Sequence, residues 1–109
     1  MKLLPWREHR SARAEYLDAV GWYDRLEAGL GSRLADELDA GVDFVREWPE
    51  AAAPFASVGS SVIIRRKSVQ VFPFGIFYVL FDGEIVVLAY AHERRHPGYW
   101  YLRFKDLDA

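Results

Sequence analysis

The chain has 109 residues, 51% hydrophobic, 28% charged and 16% aromatic, with a formal net charge of −2. That length favours one domain over residues 1–109, the balance is that of a folded globule rather than a disordered tail, and a mildly acidic whole argues against general nucleic-acid binding. With no cysteine, a disulfide framework, a thiolate metal site and a cysteine nucleophile are excluded.

Lys2–Trp6 is a short apolar stretch expected to form an edge strand, since Pro5 removes a backbone donor. A helix is predicted from about Arg7 to Glu27, where Ala12, Tyr16, Ala19, Tyr23 and Leu26 recur at spacings of three and four on one face. Tyr16 and Tyr23 are accordingly core residues rather than catalytic ones. Gly29-Leu30-Gly31 is a reversal and not a phosphate loop, because it lies between helices instead of after a strand. A second helix, Ser32 to Glu47, carries Leu34, Leu38, Val42 and Val45 on one stripe and Asp36, Glu37, Asp39 and Asp43 elsewhere, and Trp48-Pro49 ends it. So short a link makes the pair an antiparallel helical hairpin.

Glu50–Ser61, Ala-rich with Pro54 and Gly59, is expected to be a loop. Val62–Val71 is rich in β-branched residues, interrupted by Arg65-Arg66-Lys67-Ser68, and Phe72-Pro73-Phe74-Gly75 is a bend or bulge. Ile76–Phe81 and Ile85–Ala91 are strands joined by Asp82-Gly83, a strong two-residue hairpin signal. Strands apolar on both faces are central and covered, so the helical hairpin must lie on one face. The predicted class is α+β: an N-terminal helical hairpin packed on a curled, mainly antiparallel sheet of about four strands. The longest apolar runs fall far short of the ~20 residues that a membrane-spanning helix needs. No apolar signal-peptide region follows Met1, so secretion by that route is not expected and a cytoplasmic location is.

Charge is uneven along the chain. Residues 1–60 hold 7 basic and 11 acidic side chains (−4), and residues 61–109 hold 7 and 5 (+2). His92-Glu93-Arg94-Arg95-His96 matches the zinc-protease string H-E-x-x-H, whose chemistry requires a helix to aim both imidazoles at one ion. Here the string follows a strand, Pro97 comes directly after it, and two arginines would repel the cation, so no metal site is expected. Arg65-Arg66-Lys67 at a strand end and Arg94-Arg95 after the last long strand are the two basic clusters. A meander can bring them to one end of the sheet, beside Tyr99, Trp100 and Tyr101. Aromatics next to arginines suit RNA bases or a protein hot spot equally.

Trp22-Tyr23, Gly29-Leu30-Gly31, Glu37-Leu38, Arg66, Phe72-Pro73-Phe74, Ile76, Tyr78, Ile85, Val87-Leu88-Ala89, His92, Arg94-Arg95, Pro97 and Tyr99-Trp100 occur in that order. This pattern, from about Arg10 to Arg103, resembles the RelE/ParE superfamily, the toxins of type II toxin–antitoxin modules. The resemblance implies a small bacterial, growth-inhibiting protein of the plasmid-stabilisation type, held inactive in a complex with a cognate antitoxin. ParE-like members inhibit DNA gyrase by binding it. RelE-like members cut mRNA in the ribosome without a metal or other cofactor. On the RelE-like pattern the catalytic residues would be Arg65 or Arg66, Arg95, and Tyr99 or Tyr101. Gly75, however, stands where RNA-cutting members often carry arginine, and a sequence pI near 5.9 is unusual for a protein entering an rRNA-lined site. The ParE-like branch is therefore favoured, with Arg66, Lys67, His92, Arg94, Arg95, Tyr99 and Trp100 as the expected target-binding residues. The antitoxin is expected to use an amphipathic helix in a groove between helices and sheet, or a strand added to a free sheet edge.

Overall fold

The computed structural model describes residues 3–58, 62–96 and 98–107. Strand β1 (Trp6–Glu8) is followed by helices α1 (Arg10–Leu26) and α2 (Leu30–Glu47). Strands β2 (Ala53–Val58), β3 (Val62–Ser68), β4 (Phe74–Phe81) and β5 (Glu84–His92) follow, and a 3-10 turn spans Tyr101–Asp106. The strands form one sheet in the order β1-β5-β4-β3-β2. β1 runs parallel to β5 and every other pairing is antiparallel. The expected α+β arrangement is present, with five strands in the sheet.

Several boundaries differ from those predicted. The first strand is Trp6–Glu8 and the first helix begins only at Arg10, because the chain through His9 pairs with β5: Ile85 N donates to the Pro5 carbonyl and His9 N to that of Val87. His9 then caps α1, its Nδ1 accepting from Ser11 N at 3.1 Å. Leu26, expected on the buried stripe of α1, is 60% exposed at the helix end, whereas Ala12 and Tyr16 are buried. Helix α2 starts at Leu30, so Gly31 lies inside it. A Cβ there would sit 2.3 Å from the Val20 carbonyl oxygen, and the glycine is what lets α2 meet α1 so closely. The stretch 53–58 is an edge strand rather than loop; Lys2, Gly59, Ser60 and Ser61 lie outside the described residues. β3 ends at Ser68, three residues short of the expected Val71.

Leu34, Leu38, Val42 and Val45 are all buried and pack, with Tyr16, on Ile76, Tyr78 and Ile85. Fully burying an aliphatic side chain of this size is worth about 1.5–3 kcal/mol, so this stripe is a main source of the fold's stability. The Asp82-Gly83 turn joins β4 to β5 with positive φ at both residues, 54° and 80°, the backbone an I′ hairpin requires. A bulge then rephases β5: Phe77 faces Ala89 and Tyr78 faces Val87, which leaves Leu88 as the extra residue. Ile85 and Val87 face the helices before it, and Tyr90 does so after it. Val86, Leu88, Ala89 and Ala91 belong to a second core on the opposite face, covered by Trp100 and Leu107 from the C-terminal tail.

Candidate functional site

Alternation along β3 sorts the first basic cluster. Ile64 and Arg66 point to the tail-covered face, Arg65 and Lys67 to the helix-covered one. Arg65 Nη1 donates to the carbonyls of Ala52 (2.8 Å) and Glu50 (3.2 Å), and so ties down the chain leading into β2. Lys67 Nζ lies 4.6 Å from the centre of the Phe44 ring on α2. Arg66 alone of the three reaches across β4, with its guanidinium 5.9 Å from the Phe77 ring centre.

The register of the sheet brings the end of β3 to the end of β5. Ser68 pairs with Gly75, Gly75 with Ala91 and Phe74 with His92. A cleft of about 320 Å³ opens there, lined by Arg66, Phe77, His92, Arg95, Tyr99 and Trp100 among others. Arg66 and Arg95 thus share one concave surface, as the meander argument anticipated. Gly75 makes room for the first of them: a Cβ at that position would lie 2.7 Å from Arg66 Nε and 3.2 Å from its Cγ. Arg66 also meets Glu93 at 3.6 Å, an exposed pair of small energetic worth.

Arg95 is held by an aromatic face. Its guanidinium carbon sits 3.9 Å from the Tyr99 ring centre, a cation–π contact. The Tyr99 hydroxyl donates to Glu15 on α1, and Glu15 in turn receives both Arg103 nitrogens at 2.9 and 3.0 Å. Burial, and next the bond to Glu15, push the Tyr99 hydroxyl above the usual tyrosine pKa. Arg103 further donates to the Leu88 carbonyl at 2.9 Å, and Tyr90 N donates to Glu15 Oε1 at 3.1 Å. β1 covers β5 only from Ile85 to Val87, so this ion pair takes up the strand's polar groups beyond it. Neither Glu15 nor Arg103 stood out in the sequence, where 88 residues separate them.

His92 closes β5, with its ring against Phe74 at 5.2 Å and its Nδ1 accepting from Arg94 N at 3.0 Å. Glu93 to Arg95 form a turn, Arg95 N donating to the His92 carbonyl, so the H-E-x-x-H string is not helical; Pro97 lies outside the described residues. The Arg94 side chain is exposed. Trp100 is 1% exposed, packed on Phe77 at 4.6 Å and Phe55 at 5.8 Å. It forms the cleft wall from within the core, while Tyr101 is exposed outside it. Phe55 also lines the cleft, and its alanine and proline neighbours give it no strand signal in the sequence. A second groove of about 440 Å³ runs along α1 past Trp22, Tyr23 and Phe74, and shares His92, Arg95 and Tyr99 with the first.

No family model matches the sequence, and no curated protein matches it. Among solved structures, a chain of the "Chromosomal ParDE TA system from P. aeruginosa" is similar, with a TM-score of 0.69 at 15% identity, over 83% of this chain and 96% of that one. The fold is that of a ParDE-system chain. That likeness is one of fold, a helical pair followed by a curled sheet. No helix among the described residues is long and apolar enough to cross a membrane.

Proposed function

We propose that the protein is the toxin of a type II toxin–antitoxin module. It is ParE-like, cytoplasmic, neutralised by a cognate antitoxin, and acts by binding DNA gyrase through the cleft between Arg66 and Arg95. The observation that carries this reading is the ParDE-like fold over nearly the whole chain. The cleft supports a binding role: two cations on one concave surface, aromatic walls, and side chains oriented in advance by stacking. Half-exposed Trp22 beside the groove along α1 supplies an apolar anchor for an antitoxin helix, and β2 is a sheet edge open to an added strand.

The RelE-like alternative has one observation in its favour, since Arg66, Arg95 and Tyr99 do line one cleft. Against it, the Tyr99 hydroxyl is engaged by Glu15 and its pKa is raised, which makes it a poorer partner for the proton exchange that assisted attack by a 2′-hydroxyl would ask of it. Arg65 is engaged on the other face of the sheet.

Expression of the chain alone is expected to arrest growth, and co-expression with the protein encoded beside it to relieve the arrest. The purified chain should block supercoiling by purified gyrase at micromolar concentration and leave mRNA intact on ribosomes. Ribosome-dependent cleavage that Arg95→Ala abolishes would replace the gyrase reading with the RelE-like one. Absence of both growth arrest and a binding neighbour would remove the toxin reading altogether.

A further inference from the structure

We propose that Glu15 on α1 is a positioning residue for Arg95 of the cleft, acting through Tyr99. The inference rests on the reading of the cleft as the target-binding surface and adds to it a residue from another element. The Glu15 side chain is only 16% exposed. One of its oxygens accepts from Arg103 at 2.9 Å and from Tyr90 N at 3.1 Å, and the other accepts from Arg103 at 3.0 Å and from the Tyr99 hydroxyl. The carboxylate is thereby fixed to the backbone of β5 on one side and to the tail on the other.

Tyr99 lies in the short turn after His96. Its hydroxyl bond to Glu15 is what locks the ring at the far end from the backbone. Arg95 forms no ion pair among the described residues, and the ring 3.9 Å away is the contact that orients it. The negative charge of Glu15 is balanced by Arg103, so Glu15 influences Arg95 by geometry and not by direct attraction. A long side chain held ready over a fixed ring has less freedom to lose on binding than a free one.

The test uses the full chain carrying Glu15→Ala, which removes both acceptor oxygens. In the native protein, the side-chain protons of Arg95 should show an upfield ring-current shift in NMR spectra. In the folded variant that shift should collapse and toxicity on expression should fall about tenfold. The double variant Glu15→Ala/Arg95→Ala should be no weaker than Arg95→Ala alone, a non-additivity that a general loss of stability would not produce. Should Glu15→Ala fail to fold, Tyr99→Phe deletes only the hydroxyl bond and is expected to give the same collapse. An unchanged ring-current shift in either folded variant overturns the proposal, as do additive losses. The NMR measurement needs no target, so a non-toxic native chain would refute the toxin reading while positioning by Glu15 is still decided by the shift.

Discussion

On one face of the sheet, Leu34, Leu38, Val42 and Val45 of α2 meet Ile76, Tyr78 and Ile85. On the other, Phe77, Val79 and Leu88 meet Trp100 and Leu107 from a tail whose regular structure, among the described residues, is one 3-10 turn. The helical cover is continuous, and its backbone polar groups are satisfied mostly within the helices themselves. The tail is instead held by widely separated side chains: Glu15 to Arg103, His9 Nε2 to Asp106 at 2.5 Å, and Arg7 to the Leu107 carbonyl. Such a cover is incomplete at its edge, and there the cleft opens. The larger cluster of buried side chains among the described residues lies under the helices, and the open basic-aromatic surface lies where covering by the tail ends.

The sharpest way to break that contrast is to truncate the central residue of each cover. Trp100→Ala is expected to cost about 3–5 kcal/mol in urea unfolding and Leu38→Ala about 2–5 kcal/mol. Trp100→Ala should also abolish growth arrest, because the cleft loses a wall; any folded Leu38→Ala protein should retain the Arg95–Tyr99 stack. A Trp100→Ala cost under about 1 kcal/mol would show that the tail is not a core element.

Next in size is Arg95→Ala. The side chain is exposed, so stability should change by no more than about 0.5 kcal/mol. Binding to the target should weaken by a hot-spot-sized amount, about 2 kcal/mol or thirtyfold. Lys67→Ala should weaken binding less than Arg66→Ala does, since β3 turns the two side chains to opposite faces. Equal effects would mean that the target grips both faces of the sheet.

A smaller effect is expected from Gly75→Ala. The new methyl would stand 2.7 Å from Arg66 Nε, and that long side chain can swing away. Folding stability should therefore hold to within about 1 kcal/mol, while target affinity drops about fivefold. Unaltered affinity would show that Arg66 need not lie over the end of β4 to engage the target.

The helix-covered face was largely legible in the sequence. The stripe of α2 follows the helical period residue by residue, and Asp82-Gly83 between two apolar runs marks its hairpin without ambiguity. The tail-covered face was not. Ala53 and Pro54 carry weak strand propensity, and β2 exists because β3 offers it a partner. Trp100 and Leu107 have no period to announce their burial, and the pairing of Glu15 with Arg103 leaves no local trace. The meeting of Arg66 with Arg95 followed from meander geometry alone. Which of Arg65, Arg66 and Lys67 faces the cleft did not, because Ile63 and Ile64 are equally apolar and leave the phase of β3 open until the sheet buries Ile64.

High pH offers the finest comparison of the two faces. On the helix side, Tyr16 donates to Asp39 Oδ1 and Tyr78 to the Pro49 carbonyl, each at 2.8 Å. Burial first of all pushes both hydroxyls up to about 12. On the tail side, Tyr99 is raised as well, by burial and by Glu15. A raised acid is held neutral by the fold, so the stability these groups contribute is complete below the unfolded tyrosine value of about 10 and is lost as pH climbs through the folded values. Unfolding midpoints in urea should therefore decline between pH 10 and about 12. Tyr78→Phe should make the decline shallower without touching Arg95. Tyr99→Phe should do the same and also release the ring that carries Arg95, so that only this variant loses the ring-current shift. A decline equally steep in both variants and the native chain would assign alkaline unfolding to other groups, among them Tyr90, whose hydroxyl is raised by burial and by its bond to Glu8.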